Sequence, residues 1–186
     1  QKGEVSITCL PAVEAVQGDL TGYIQTNAMS MTDGHIFFDH ILYAEGKRPA
    51  IDPFLSVTRV GFQTQSPLKL EIGRKLIVFL REAERMEHLA SFGAELSEHI
   101  KQIINKEKRI SAFLDQTAYD YVSSSVQIFL FGMVWGDVWM EKTASEVGVL
   151  VQKIIFSYET REDVRKRIDY LVEGSKDVDS LLARVK

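Results

Sequence analysis

The sequence predicts an α+β chain that is mainly α, the end of an α/β segment followed by an all-α bundle, and three observations carry that expectation. All the prolines but Pro67 and half of the twelve glycines lie in residues 1–66, between short apolar runs. From Leu68 onward apolar residues instead recur at helical spacing. The composition, with 45% hydrophobic and 26% charged residues in 186, is that of a folded globular chain able to bury a core without disulfides or metals. A net charge of -4 argues against a phosphate-binding nucleic-acid surface. The single cysteine, Cys9, offers no internal disulfide or thiolate metal site, which favours a reducing compartment. The longest apolar run, Val126 to Val134, falls short of the roughly 18 residues a spanning helix needs. The chain starts at Gln1 without methionine or a signal-like segment and reads as a cut end.

In chain order, Ser6–Val13, Ile36–Phe38 extended to Leu42, and Pro49–Val60 read as strands of a parallel sheet covered on both faces. Turn signals at Gln17-Gly18-Asp19, Thr32-Asp33-Gly34 and Glu45-Gly46-Lys47 separate them. Leu68, Ile72, Leu76, Phe79, Ala83, Met86 and Ala90 then mark an amphipathic helix that Gly93 ends. A second helix is expected from about Glu95, with a break near Lys106 where a polar run separates Ile104 from Ile110. Ser123 to Ser125 should cap a third helix, apolar nearly all round from Val126 to Trp139 and therefore central. Thr143 and Glu146 form a capping-box signature for a fourth. The charged tail Arg161–Lys186 keeps a sparse apolar stripe, Val164, Ile168, Leu171, Val178, Leu181 and Leu182, and reads as one or two surface helices. The boundary between the two parts falls at residue 66, with 1–66 and 67–186 as separate units.

Short chemical signatures say little. There is no G-x-x-x-x-G-K-[ST] phosphate loop, so the chain by itself cannot cradle a triphosphate in that manner. Ile36-Phe37-Phe38-Asp39 has the form of a Walker B strand but lacks its partner loop. His35, Asp39 and His40 are the residue types that bind metals, yet on a strand their spacing does not converge on one ion. Ser30 and Ser56 lack the G-x-S-x-G setting of a nucleophile.

A longer pattern is more specific: GDLTGYIQTNAMSMTDGHIF at 18–37, GKRPAID at 46–52 and LSVTRVG at 55–61. Together these blocks span residues 18–61, about a quarter of the chain, and they resemble the alpha subunit of F-type ATP synthases. Weaker matches at 91–96 and at Asp115-Gln116 continue into the helical part. The resemblance implies the end of a RecA-like P-loop NTPase α/β domain followed by a C-terminal helical bundle. It further implies a non-catalytic, regulatory subunit that couples proton or sodium flow to ATP synthesis or hydrolysis. Its partners would be beta subunits in an alternating ring, the gamma shaft and the delta subunit of a peripheral stalk. ATP or ADP with Mg2+ would bind in the full-length complex, and the complex would place the subunit peripherally on the cytoplasmic face of a bacterial plasma membrane or the equivalent organelle face.

Residue by residue, Arg59 matches the arginine finger that reaches into the neighbouring beta subunit, a task suited to a planar, permanently charged group. Taken without the motif, Arg59 reads first as an arginine satisfying carbonyls at a strand end. Ser30 matches a phosphate-side serine, and Gly34 closes the turn that presents it at the interface. Arg48 and Gln116 match residues of the subunit's own nucleotide site, while Glu95 and Glu98 fall where the bundle turns toward the central shaft. Three positions depart from the family pattern: Gln25 stands for a proline, Thr58 for a serine and Ala118 for a second glutamine of the nucleotide site. The alternatives are a subunit of another hexameric P-loop motor, such as a flagellar or secretion export ATPase, and a free-standing helical interaction module.

Overall fold

The computed structural model describes residues 5–91, 97–117 and 119–186. Glu95, the expected stop at Gly93, the expected start of the second helix and Ala118 lie outside them. The molecule is mainly helical, with one small sheet.

Among the described residues of the first third, the expected parallel sheet is replaced by one antiparallel pair. Strand β1 (Gly34–His35) meets β2 (Val57–Thr58), with Gly34 opposite Thr58 and His35 opposite Val57, and an isolated bridge joins Phe38 to Ile51. The reason is backbone pairing: a continuous apolar strand needs hydrogen-bonded neighbours on both sides. The run from Val5 has none among the described residues, leaving Val5, Ile7 and Leu10 about nine-tenths exposed. Two segments within this third are helical instead. Helix α1 (Tyr23–Met31) occupies the middle of the family-like string, and α2 (His40–Ala44) begins where a strand extension is expected. Asp39 starts α2 by accepting the Ile41 amide proton at 2.7 Å, which a Walker B aspartate on a strand would not do. The turns at Gly18 and Gly46 have positive φ, 79° and 88°, where glycine carries no steric penalty.

The remainder follows the helical periodicity closely. Helix α3 (Pro67–Ser91) carries the expected stripe. Helix α4 (Glu98–Leu114) is unbroken at Lys106. The polar run that suggested a break is absorbed because Lys106 donates to the Trp135 carbonyl at 3.0 Å and pairs with Asp137 at 3.1 Å, while Arg109, 7% exposed, donates to the Met140 carbonyl at 3.1 Å. Both bury aliphatic stems and aim their charged heads at the chain reversal after the next helix.

That helix, α5 (Ser124–Trp135), is the centre of the core as its sequence predicts, but it stops four residues short of Trp139. Gly136 weakens the helix and Asp137 adopts a left-handed φ of 58°, turning the chain, and Lys106 supplies positive charge at the negative end of the dipole. Trp139 is still buried, from the loop. Ser123 stands at the N-cap, yet its hydroxyl lies 3.3 Å from the Tyr158 hydroxyl and caps no helix amide. Phe131 and Trp135 stack at 5.0 Å, and Phe79 from α3 meets Trp135 edge-on at 5.6 Å.

Helix α6 (Ala144–Thr160) opens on the expected capping box: Thr143 Oγ1 accepts the Glu146 amide proton, and the Glu146 carboxylate accepts from the Thr143 amide at 2.8 Å. The tail forms α7 (Glu162–Glu173) and α8 (Val178–Val185), two amphipathic helices as expected. Both pack on α5, burying Ile168, Val172, Val178 and Leu181. Ile168, Val178 and Leu181 belong to the sparse stripe the sequence offers, and Val172 joins them because it lies four residues after Ile168 on the same face. Gly132 makes the close approach possible, since a Cβ there would lie 3.3 Å from both Leu181 and Val185.

Candidate functional site

The small sheet decides where the candidate catalytic residues sit. At Gly34 a Cβ would lie 2.5 Å from the Val57 carbonyl oxygen and 3.1 Å from the Thr58 Cα, so only glycine permits this strand spacing. The pairing continues one residue on, where the Arg59 amide donates to the Asp33 carbonyl at 2.8 Å. Arg59 is thereby fixed at its backbone beside the end of α1. Its guanidinium, exposed, donates to the carbonyls of Met29 at 3.0 Å and Ser30 at 3.4 Å. Ser30 and Arg59, 29 residues apart, are thus neighbours. The contact runs through the Ser30 carbonyl, because the Ser30 hydroxyl donates back to Thr26 O at 2.8 Å within its own helix.

Two hydrogen bonds position the start of α1. Gln25, where the family pattern has proline, donates from Nε2 to the Glu14 carbonyl at 2.6 Å and ties the preceding segment to the first turn. Asp19 accepts from the Thr21 hydroxyl at 2.6 Å and the Thr21 amide at 2.7 Å, and these bonds hold its carboxyl below the ordinary aspartate range. Thr58, a second departure from the pattern, uses its hydroxyl to accept the Gly61 amide proton at 3.0 Å, which shapes the turn after Arg59.

The second candidate pair also meets. The Gln116 amide donates to the Arg48 carbonyl at 2.7 Å, joining the end of α4 to the loop that follows α2. The Arg48 side chain lies with its Cζ 3.7 Å from the centre of the Tyr43 ring and donates to the carbonyls of Tyr43 at 2.9 Å and Lys47 at 2.7 Å. Arg48 therefore caps α2 as Arg59 caps α1. Neither role is visible in spacing along the chain, since the acceptors are main-chain atoms of residues with no chemical signature of their own. Tyr43, the platform for Arg48, gave no signal in the sequence beyond being an aromatic near an arginine.

Glu98 lies in the first turn of α4, after the Ser97 cap, with its side chain 78% exposed and 3.7 Å from Lys101. It is not brought near Ser30–Arg59 or Arg48–Gln116 by any contact. His35 Nε2 lies 2.8 Å from the Leu55 carbonyl and Asp39 caps α2, so these two are engaged separately, and among the described residues no group of three or more His, Cys, Asp or Glu could hold a metal. No helix of the described residues is long and apolar enough to cross a membrane.

A sheet-anchored arginine beside a serine-bearing helix, in a glycine-dependent turn, is the local geometry at the end of a stretch, residues 1–58, that matches the ATP synthase alpha/beta family, nucleotide-binding domain, with Arg59 following directly after it. The match to that family is confined to this stretch, and the similarity to single proteins extends further along the chain. Similar curated proteins include ATP synthase alpha subunits. The chain is 37% identical over 131 residues to ATP synthase subunit alpha 1 of Mycoplasmopsis pulmonis, covering 70% of this chain and 25% of that protein. It is 38% identical over 129 residues to ATP synthase subunit alpha of Orientia tsutsugamushi, covering 69% and 25%. With the alpha subunit of Clostridium acetobutylicum the match extends over 184 residues at 31% identity, 98% of this chain and 36% of that protein. The chain thus spans a quarter to about a third of the length of these relatives.

Proposed function

We propose that this chain acts as part of the non-catalytic alpha subunit of an F-type ATP synthase and that Arg59 completes the catalytic site of a neighbouring beta subunit. In this reading residues 1–66 end a RecA-like nucleotide-binding domain and residues 67–186 form the C-terminal bundle. The observation that carries it is the placement of Arg59 beside Ser30 by the Gly34–Thr58 pairing, directly after residues 1–58, the stretch that matches the family. The support is geometric: the backbone of Arg59 is anchored while its guanidinium stays at the surface, as delivery to another subunit requires.

Mg2+ bound with the nucleotide would neutralise phosphate charge in the full complex. This chain's part is to bring a planar cation to the transferring phosphoryl oxygens, with Ser30 on the phosphate side. Arginine holds two such oxygens side by side, which lysine cannot. Arg48 and Gln116 would serve the subunit's own nucleotide, and their joint places a cation and an amide side chain on adjoining backbone. Beta subunits, the gamma shaft and the peripheral stalk are the partners, and association with a membrane sector that passes protons or sodium ions is through the complex alone.

The test is Arg59→Lys in the full-length subunit, with native mass spectrometry confirming that beta and gamma still assemble. Finger arginines contribute about 10³–10⁵ in turnover, so the barrier should rise by roughly 4–7 kcal/mol. Catalytic-site nucleotide affinity should change far less, because the charge Arg59 meets develops in the transition state. Hydrolysis within about threefold of the parent would make Arg59 a structural cap only.

A further inference from the structure

An α-helix leaves its last four carbonyls without intrahelical partners and concentrates negative charge at that end. In α1 these belong to Ala28, Met29, Ser30 and Met31, and the last turn contains no basic residue to answer them. Two side chains from outside the helix do so. The Thr32 hydroxyl donates to Ala28 O at 2.8 Å, and Arg59 takes Met29 O and Ser30 O through its two terminal nitrogens, Nη2 and Nη1. Those two nitrogens form the end-on edge of the guanidinium fork, the edge that an end-on grip on phosphoryl oxygens would also use. The backbone bond from Arg59 to Asp33 fixes the pivot, and the long, exposed side chain extends from it.

We propose that the last turn of α1 is a resting seat for the Arg59 guanidinium, which must leave the Met29 and Ser30 carbonyls to engage a neighbouring subunit's phosphoryl group. This rests on the finger reading above and adds regulation to it. The fraction of fingers available is set by competition between helix carbonyls and phosphoryl oxygens, so anything that deepens the seat lowers turnover. Release also uncaps α1, which links finger extension to fraying of the turn that carries Ser30.

Two measurements test the seat. In this chain, Arg59→Ala should speed amide hydrogen exchange in the last turn of α1 by roughly threefold or more, as expected for a lost cap, while α3 is unchanged. In the assembled complex, Met31→Glu places a carboxylate at an exposed position of the same turn, 85% accessible, and should strengthen the seat. Steady-state hydrolysis should fall by about fivefold or more, whereas Met31→Gln stays within about twofold of the parent. Unchanged exchange in Arg59→Ala, or equal rates for Met31→Glu and the parent, would overturn the seat. If Met31→Glu prevents assembly, the exchange experiment decides alone. The two readings fail differently: an Arg59→Lys complex at the parental rate removes the finger whatever the exchange shows, and a slow Arg59→Lys complex with unchanged α1 exchange removes only the seat.

Discussion

Glycine 34 shows how a residue without a side chain controls one with the longest reach. A Cβ at this position would collide with backbone, not with a movable side chain, so the strands themselves must part. Gly34→Ala should therefore weaken the β1–β2 pair by about 1–3 kcal/mol, the usual cost of overpacking. The Arg59 amide, bonded to Asp33 O, reports this directly: its protection against exchange should fall by roughly tenfold to a hundredfold, at about 1.36 kcal/mol per decade. Unchanged protection would mean that the strands have room to spare. Arg48 and Arg59 share a theme at this scale. Each uses a planar cation to satisfy carbonyls at the end of a short helix that has no basic residue in its own last turn.

At the scale of single elements, caps explain where the helices begin. The Glu146 carboxyl is held below the ordinary glutamate range first by the Thr143 amide and then by the Thr143 hydroxyl. Asp177 is lowered in the same way by the amide and hydroxyl of Ser180 at the start of α8. A carboxylate whose folded pKa is depressed adds stability above its unfolded pKa and loses it as pH falls through the folded value. Stability should thus decline on acidification below about pH 4, and Glu146→Gln should both lower the urea midpoint at neutral pH and flatten its decline in acid. A variant that keeps the full acid dependence would show that the box does not form in solution. Helix α8 has a further tie, the Val178 amide donating to Glu71 of α3 at 3.0 Å, which anchors the last helix to the first of the helical part.

Across the whole molecule, burial is uneven. Of the nineteen buried hydrophobic residues described, only Phe37 and Ala50 precede Leu68, while one continuous core runs from Leu68 to Leu181 around α5. Stability follows buried apolar area. Hydrogen exchange of this chain should show residues 5–66 opening first, with the amides of Phe131 and Val134 the most protected. Protection at Ile7 or Ile36 above that at Val134 would contradict the proposed division at residue 66. Binding of MgATP to this chain alone should be weak, because no phosphate loop is present in its sequence.

Periodicity alone determined α3, α5 as the centre of the core, and α6 with its cap, because these depend on residues three or four apart on one helix. The family resemblance likewise rested on contiguous blocks, and it holds over residues 1–58. What needed the folded chain were the places where distant residues compete with local preference. Lys106 and Arg109 keep α4 whole by reaching the far end of α5, and Asp137 ends α5 before Trp139. The apolar stripe of α8 packs closely because Gly132 leaves room for Leu181 and Val185, a condition set 49 residues away from Leu181. The sheet expected from apolar runs near the start does not form among the described residues, since strand texture supplies side chains but not the neighbouring backbone that pairs a strand. At the candidate site, the residue types were legible, but what Arg59 and Arg48 touch was not. Their partners are carbonyl groups, which every residue carries, and only tertiary structure selects which of them a guanidinium meets.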